Sequence, residues 1–202
     1  MTTSPGRSEP EPFSDDELRK TTLGEVTPRN APIELAEYDK AWPALFTREA
    51  QRIRAVLGAT ALRIEHVGST SVPGLLAKPI IDLLLVVPDS ADEAAYVPAL
   101  ENAGYVLRVR EPEWFEHRLF RGPDTRINLH VFTVDVTEID RMLRFRDWLR
   151  RHDDDRDLYA QTKRELARRD WRHVEDYANA KTAVVQEIMS RAQDSRWEPV
   201  QR

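Results

Sequence analysis

Apolar residues recur with two different periods along this chain, and the change of period divides it. From Tyr38 to Leu57 the apolar positions Trp42, Leu45, Phe46, Ile53, Val56 and Leu57 fall at helical spacings, with Asp39 placed to cap the start and Gly58 to stop the end. Ala61–Val67 reads as a strand, 68–78 as a loop, and Ile80–Val87 as a second strand. That second run is apolar apart from Asp82, as expected of a strand buried on both faces. Asp89 or Ser90 can cap a helix reaching about Ala103, ended by Gly104, and Tyr105–Arg110 should be a strand. Glu116–Arg121 and Arg126–Val134, separated by Gly122-Pro123-Asp124, fit an antiparallel hairpin. After Val136 the period is helical again, predicting three helices: one around Met142, Phe145, Trp148 and Leu149, one around Leu158 and Leu166, and one around Tyr177, Val184, Val185 and Ile188. The fold class expected is α+β, a mixed sheet with flanking helices and a C-terminal helical extension.

The domain organisation follows. Residues 1–30 hold four of the 13 prolines, many charges and few large apolar side chains, which predicts a flexible tail. Residues 31–136 form the core, 137–194 helices packed on it, and 195–202 a second tail.

Candidate chemistry concentrates in IEHVGSTSVPGLLAKPIIDLLLVV, Ile64–Val87. Asp82 sits inside the apolar strand, and an unpaired, ionised carboxylate there costs several kcal/mol, so it calls for a partner, a proton or a metal. Gly68 can adopt backbone angles closed to other residues, which lets main-chain N–H groups approach an anion. Gly68, Ser69, Thr70 and Ser71 supply three hydroxyls at the turn, with Lys78 as a compact charge nearby. The same residues also suit an ordinary hydrogen-bonded turn and a solvated lysine. A buried acid a dozen or so residues after a Gly-Ser turn is a nucleotidyltransferase layout.

The segment HVGSTSVPGLLAKPIID (66–82) closely resembles the signature of the GrpB family. YDKAWPALF (38–46), NLHVF (128–132), FRDWLR (145–150) and YANAKTAVV (177–185) follow in the family's order, and the resemblance runs from about Ile33 to Ala192. It implies a fold like the nucleotidyltransferases of the DNA polymerase beta superfamily. Family members are mostly described as predicted nucleotidyltransferases, and a related domain is fused to dephospho-CoA kinase in some actinobacteria. No GxxxxGK[ST] phosphate loop is present here, so the kinase activity itself is excluded within this chain. Arg146, Tyr177 and Lys181 match the family pattern. Tyr177 and Lys181 share a helical face, suited either to an aromatic platform and cation for a nucleotide or to a core tyrosine with a snorkelling lysine.

Metal-dependent nucleotidyl transfer uses two acids at alternating strand positions and a third on a neighbouring strand. Asp82 fills the first position, but position 84 is Leu, and the neighbouring-strand position falls within Asn128–His130, which has no carboxylate. Glu65 compensates only if its side chain enters the cleft. His66 and His130, each in a strand, either build a His-Asp-His transition-metal site with Asp82, remain structural, or supply a neutral base. Trp114 and Phe115 are candidates for lining a base or acyl pocket, or for core packing.

Three functions remain open. The first is a nucleotidyltransferase with Asp82, His130 and Glu65 as catalytic candidates. The second is a non-catalytic nucleotide-binding or partner module linked to coenzyme A biosynthesis. The third is a hydrolase dependent on a metal held by Asp82, His66 and His130. The implied ligand is a nucleotide or another phosphate-containing small molecule, with a divalent ion (Mg²⁺ or a transition metal) as cofactor and a protein partner compatible with the second reading.

Composition narrows the field. With 202 residues and 41% apolar side chains, one core is affordable; 32% charged residues and a mean hydropathy of −0.59 predict a heavily solvated surface. A formal charge of −5 and pI near 5.6 give no basic bias toward nucleic acid, and the interleaved charges of the C-terminal helices predict a salt-bridged surface. No window approaches the roughly 18 apolar residues of a membrane span, and the first 20 residues lack a secretory apolar core. The absence of cysteine removes disulfides, thiol catalysis and cysteine-ligated zinc, and the cytoplasm is the expected compartment.

Overall fold

The computed structural model of the protein describes residues 11–26, 28 and 33–193. Five strands, β1 (Arg63–Val67), β2 (Ile81–Val87), β3 (Val106–Glu111), β4 (His117–Arg121) and β5 (Ile127–Thr133), form one sheet in the order β1-β2-β5-β4-β3. Only the central β2–β5 pair is parallel; its neighbours are antiparallel, giving the mixed sheet of an α+β fold. Among the described residues seven α-helices accompany it: α1 (Asp15–Thr21), α2 (Trp42–Leu57), α3 (Val97–Asn102), α4 (Thr137–Arg151), α5 (Asp153–Ala167), α6 (Val174–Ala180) and α7 (Thr182–Gln193).

Alternation along β2 builds the two faces. Ile81, Leu83, Leu85 and Val87 join Ile127, Leu129, Val131 and Ile64 in a core closed by Trp42, Ile53 and Leu57 of α2 and Leu100 of α3. On the other face Leu84 and Val86 pack with Val67, Phe132 and α4 residues Ile139 and Leu143. Asp82 lies at the start of this second face, where α4, α5 and α7 also gather around Val72, Leu75 and Leu76 of the connecting loop. Among the described residues no helix is long and apolar enough to cross a membrane.

Three expectations need correction. The proposed tail at 1–30 contains α1, started by a capping box between Ser14 and Glu17 and carrying acids in its first turn and Arg19 and Lys20 in its last. Leu18 of this helix is buried, Thr22 bridges Val109, and Leu23 N donates to Arg108 O, so the segment covers the outer edge of β3. Pro-rich composition hid one well-capped turn pattern; residues 1–10, 27, 29–32 and the expected tail 195–202 lie outside the described residues. The helix expected from Asp89 to Ala103 is a 3₁₀ turn at Glu93–Ala95 followed by α3, because Pro98 opens a new helix and Tyr96 leaves the helical backbone. The last predicted helix is two, α6 and α7, meeting at Lys181.

Candidate functional site

Gly68 ends β1 with φ +66°, and the turn Ser69–Ser71 folds back over the start of β2. A methyl group at Gly68 would overlap the Asp82 carboxylate, so glycine is required both by the backbone angle and by this close approach. The turn is braced internally: Ser71 Oγ donates to Gly68 O (2.6 Å), and Thr70 Oγ1 donates to Ile80 O (3.2 Å) and meets His66 Nε2 (3.0 Å).

Residues 68–70 form the rim of a cleft of about 350 Å³ whose wall also includes Lys78, Asp82, Arg121, Asn128, His130, Lys163, Glu175, Tyr177 and Lys181. Register explains the floor. Asp82 pairs with Asn128 on β5, His130 lies two residues further along, and Arg121 of β4 is opposite Asn128, so alternate residues from three strands face one hollow. Asn128 Nδ2 donates to Asp82 Oδ1 (2.7 Å), and its Oδ1 accepts from Arg121, which fixes the amide orientation. His130 Nε2 lies 4.0 Å from Asp82 Oδ1, and 22% and 26% of their side-chain surfaces remain open to the cleft.

The roof supplies cations. Lys163 on α5 donates to Ser69 Oγ (3.0 Å) and to Leu76 O, with its ammonium over the Tyr159 ring at 4.6 Å. Burial, with Lys181 and Arg164 nearby, pulls Lys163 down to about 6. Lys181 is drawn down to about 8 by burial, against the pull of Asp82. Burial pushes the Asp82 carboxyl up, opposed by the Asn128 hydrogen bond and by Lys181, Lys78 and Arg121. Burial, His117 and Arg121 together push His130 down to about 3, so its ring is neutral at physiological pH. Four basic side chains thus surround two carboxylates, Asp82 and Glu175.

Of the residues proposed from sequence, Gly68, Ser69, Thr70, Lys78, Asp82, His130, Tyr177 and Lys181 meet at this cleft. Four do not. Glu65 shares the face of Asp82 but accepts from Arg146 (2.8 Å) and Arg63 (3.0 Å). Arg146, expected at a phosphate, is buried between Glu65, Asp147 and the His66 carbonyl, where it ties α4 to β1. His66 points to the opposite face, stacks on Phe46 at 4.9 Å, and is held down to about 4 by burial and by Arg150 and Arg146. Ser71 spends its hydroxyl inside the turn. Tyr177 is too buried to serve as a platform for a base; its ring instead carries Lys181 (4.7 Å) and Lys78 (5.8 Å). Trp114 and Phe115 are substantially exposed, Trp114 lying edge-on to His117 and Phe132.

Nor does the donor set fit the expected metal. His66 is on the wrong face, Leu84 and Asn128 stand where further acids would be needed, and among the described residues no group of three His, Asp or Glu side chains is arranged to hold an ion. Sequence reasoning missed Lys163 and Arg121 as cleft residues, and the pair His117–Glu111 behind His130. Lys163 had a signal: it falls on the apolar face of α5 between Tyr159 and Leu166, where a lysine must find a polar purpose.

Comparison with other proteins places this architecture. A UPF0157 protein of Halalkalibacterium halodurans is 66% identical over 181 residues, covering 90% of this chain and 93% of that one. The crystal structure of the conserved protein GrpB from Enterococcus faecalis superposes with a TM-score of 0.70 at 33% identity, covering 82% of this chain and all of that one. A dephospho-CoA kinase of Mycolicibacterium paratuberculosis is 28% identical over 199 residues, which are 84% of this chain but 49% of that protein. Residues 32–191 match the model described as GrpB protein, and the chain belongs to the GrpB family.

Proposed function

We propose that this GrpB-family protein binds a nucleotide or a related phosphate-containing small molecule in the cleft at Asp82, within a nucleotidyltransferase-like fold. The observation that carries the reading is the gathering of four basic side chains, Lys78, Arg121, Lys163 and Lys181, around a space of about 350 Å³ that the Ser69 turn also lines, with Lys163 donating to Ser69 Oγ. That volume falls at the lower end of small-molecule sites, which run from about 300 to 1,000 Å³. Two lysines lowered by burial gain most from a bound polyanion, because the anion restores the charge that burial penalises. Without a carboxylate set for two ions, phosphate recognition rests on the side chains themselves, and Asp82 reads as a group that orients Asn128 and favours the charged form of Lys181.

Calorimetric titration with ATP, ADP and inorganic sulfate, each with magnesium and with EDTA, tests this. Binding is expected to persist in EDTA, to weaken at least tenfold in Lys163→Met, and to tighten for sulfate in Asp82→Asn. Wild-type protein that binds none of the three would end the reading, and binding abolished by EDTA would return Asp82 to a metal-holding role.

A further inference from the structure

Behind His130 lies a row of groups that phosphate binding does not use. Glu111 Oε2 is 2.6 Å from His117 Nδ1, and His117 Nε2 is 3.1 Å from His130 Nδ1. The row crosses β3, β4 and β5 and ends at His130 Nε2 in the cleft. His117 is almost wholly buried, stacked on Phe132 (4.7 Å) with the Trp114 edge at 5.0 Å. Two buried imidazoles need not line up nitrogen to nitrogen to fill this space.

The hydrogen bonds fix the protons. An ionised Glu111 only accepts, so His117 Nδ1 must carry hydrogen. With His117 neutral, its Nε2 is a bare acceptor, His130 Nδ1 must be N–H, and His130 Nε2 is left with a lone pair facing the cleft beside Asp82. If a proton arrives at that lone pair, the Nδ1 proton can pass to His117 Nε2. The positive charge then rests on His117 against Glu111, and His130 is again neutral with its other nitrogen protonated. The gain is electrostatic. A cation on His130 itself would face Arg121 and Lys181 in a desolvated site, whereas the row carries the charge to His117, 2.6 Å from the partly exposed Glu111 carboxylate.

We propose that Glu111, His117 and His130 form a proton relay with His130 Nε2 as the general base of the cleft. Resting on the phosphate-binding reading, the relay makes the cleft a site of group transfer. A hydroxyl, on a second substrate or on water, loses its proton to His130 Nε2 as its oxygen forms a bond to a phosphorus of the bound ligand. The opposite P–O bond breaks, and the leaving group (pyrophosphate for attack at the α-phosphorus, the nucleoside diphosphate for attack at the γ-phosphorus) keeps its electron pair and is held as an anion by the lysines. His117 and Glu111 do not touch substrate; they are positioning residues. The other charged groups lining the cleft with His130 are Lys78 from the loop before β2, Asp82 from β2, Arg121 from β4, and Lys163, Glu175 and Lys181 from the roof.

Nitrogen-15 NMR of the histidine rings of the ligand-free protein tests the relay independently of nucleotide binding. At pH 8 His130 should be protonated at Nδ1 and bare at Nε2. On acidification His117 should become doubly protonated while His130 inverts to Nε2–H, a change no structural role produces. Glu111→Gln, which keeps a hydrogen-bond acceptor without the charge, should move that step down by a pH unit or more. A resting Nε2–H tautomer, a His130 that charges before His117, or a step unmoved by Glu111→Gln overturns the relay. For the base role, ADP or pyrophosphate release from ATP with water and glycerol as hydroxyl donors should fall at least about 100-fold in His130→Gln while ATP affinity is kept. Wild-type protein that binds ATP without any release overturns the base role and leaves the binding reading standing.

Discussion

The two faces of the sheet are made by alternate residues of the same strands, yet they do different work. Toward α2 and α3 the side chains of β2 and β5 are apolar up to Thr133 at the end of β5: Ile81, Leu83, Leu85 and Val87 against Ile127, Leu129 and Val131. The other face is graded. Its Val86–Phe132 end is as dry as the first, while Asp82, Asn128 and His130 at its other end meet a roof of lysines. Hydrophobic burial favours the first face almost regardless of arrangement detail, since transfer energy follows area. The cleft end opposes folding at neutral pH, because buried Lys163 and Asp82 are both shifted toward their uncharged forms. One face therefore supplies the stability that the other face uses to hold charges out of water.

Substitutions should separate the faces. Leu83 is fully buried between α2 and the sheet, so Leu83→Ala should destabilise by about 2–5 kcal/mol while leaving sulfate affinity intact, read by denaturant unfolding and calorimetry. Gly68→Ala places a methyl on the Asp82 carboxylate at φ +66° and should destabilise by about 1–3 kcal/mol. Unlike Leu83→Ala, it should also abolish sulfate binding by displacing the Ser69 turn. If sulfate affinity followed stability equally in both variants, the division between faces would be false.

How far each face is legible in the sequence follows from the same physics. The apolar face is readable because periodicity encodes it: β1, β2, β4 and β5 lie within a residue or two of where their patterns place them. Asp82 and Gly68 are readable because each breaks its local pattern, an acid in an apolar run and a glycine at a strand end. Direction along the sheet was not readable. His66 and Glu65 are adjacent in sequence, so they occupy opposite faces, and only the pairing of β1 with β2 decides which faces Asp82. Arg146 and Lys163 look alike as basic residues of amphipathic helices. Which one is neutralised by Glu65 and Asp147, and which reaches Ser69, depends on helix packing that composition cannot encode.

The smallest effect is also the most diagnostic, because pH should move the two properties of the roof in opposite directions. Free lysine titrates near 10.4, whereas folded Lys163 titrates near 6, so between these values the unfolded chain binds more protons than the native protein. Stability attributable to this residue should therefore rise with pH from about 6 upward and level off below it, measured as wild type minus Lys163→Met. Sulfate, which does not titrate in this range, binds the charged form. Its affinity should be flat below pH 6, fall as Lys163 loses its proton, and fall again near pH 8 as Lys181 follows. Lys163→Met should erase the first descent and keep the second. A single descent near pH 10 in the wild type would mean that both lysines are as solvated as surface residues and that the roof does not close over the anion.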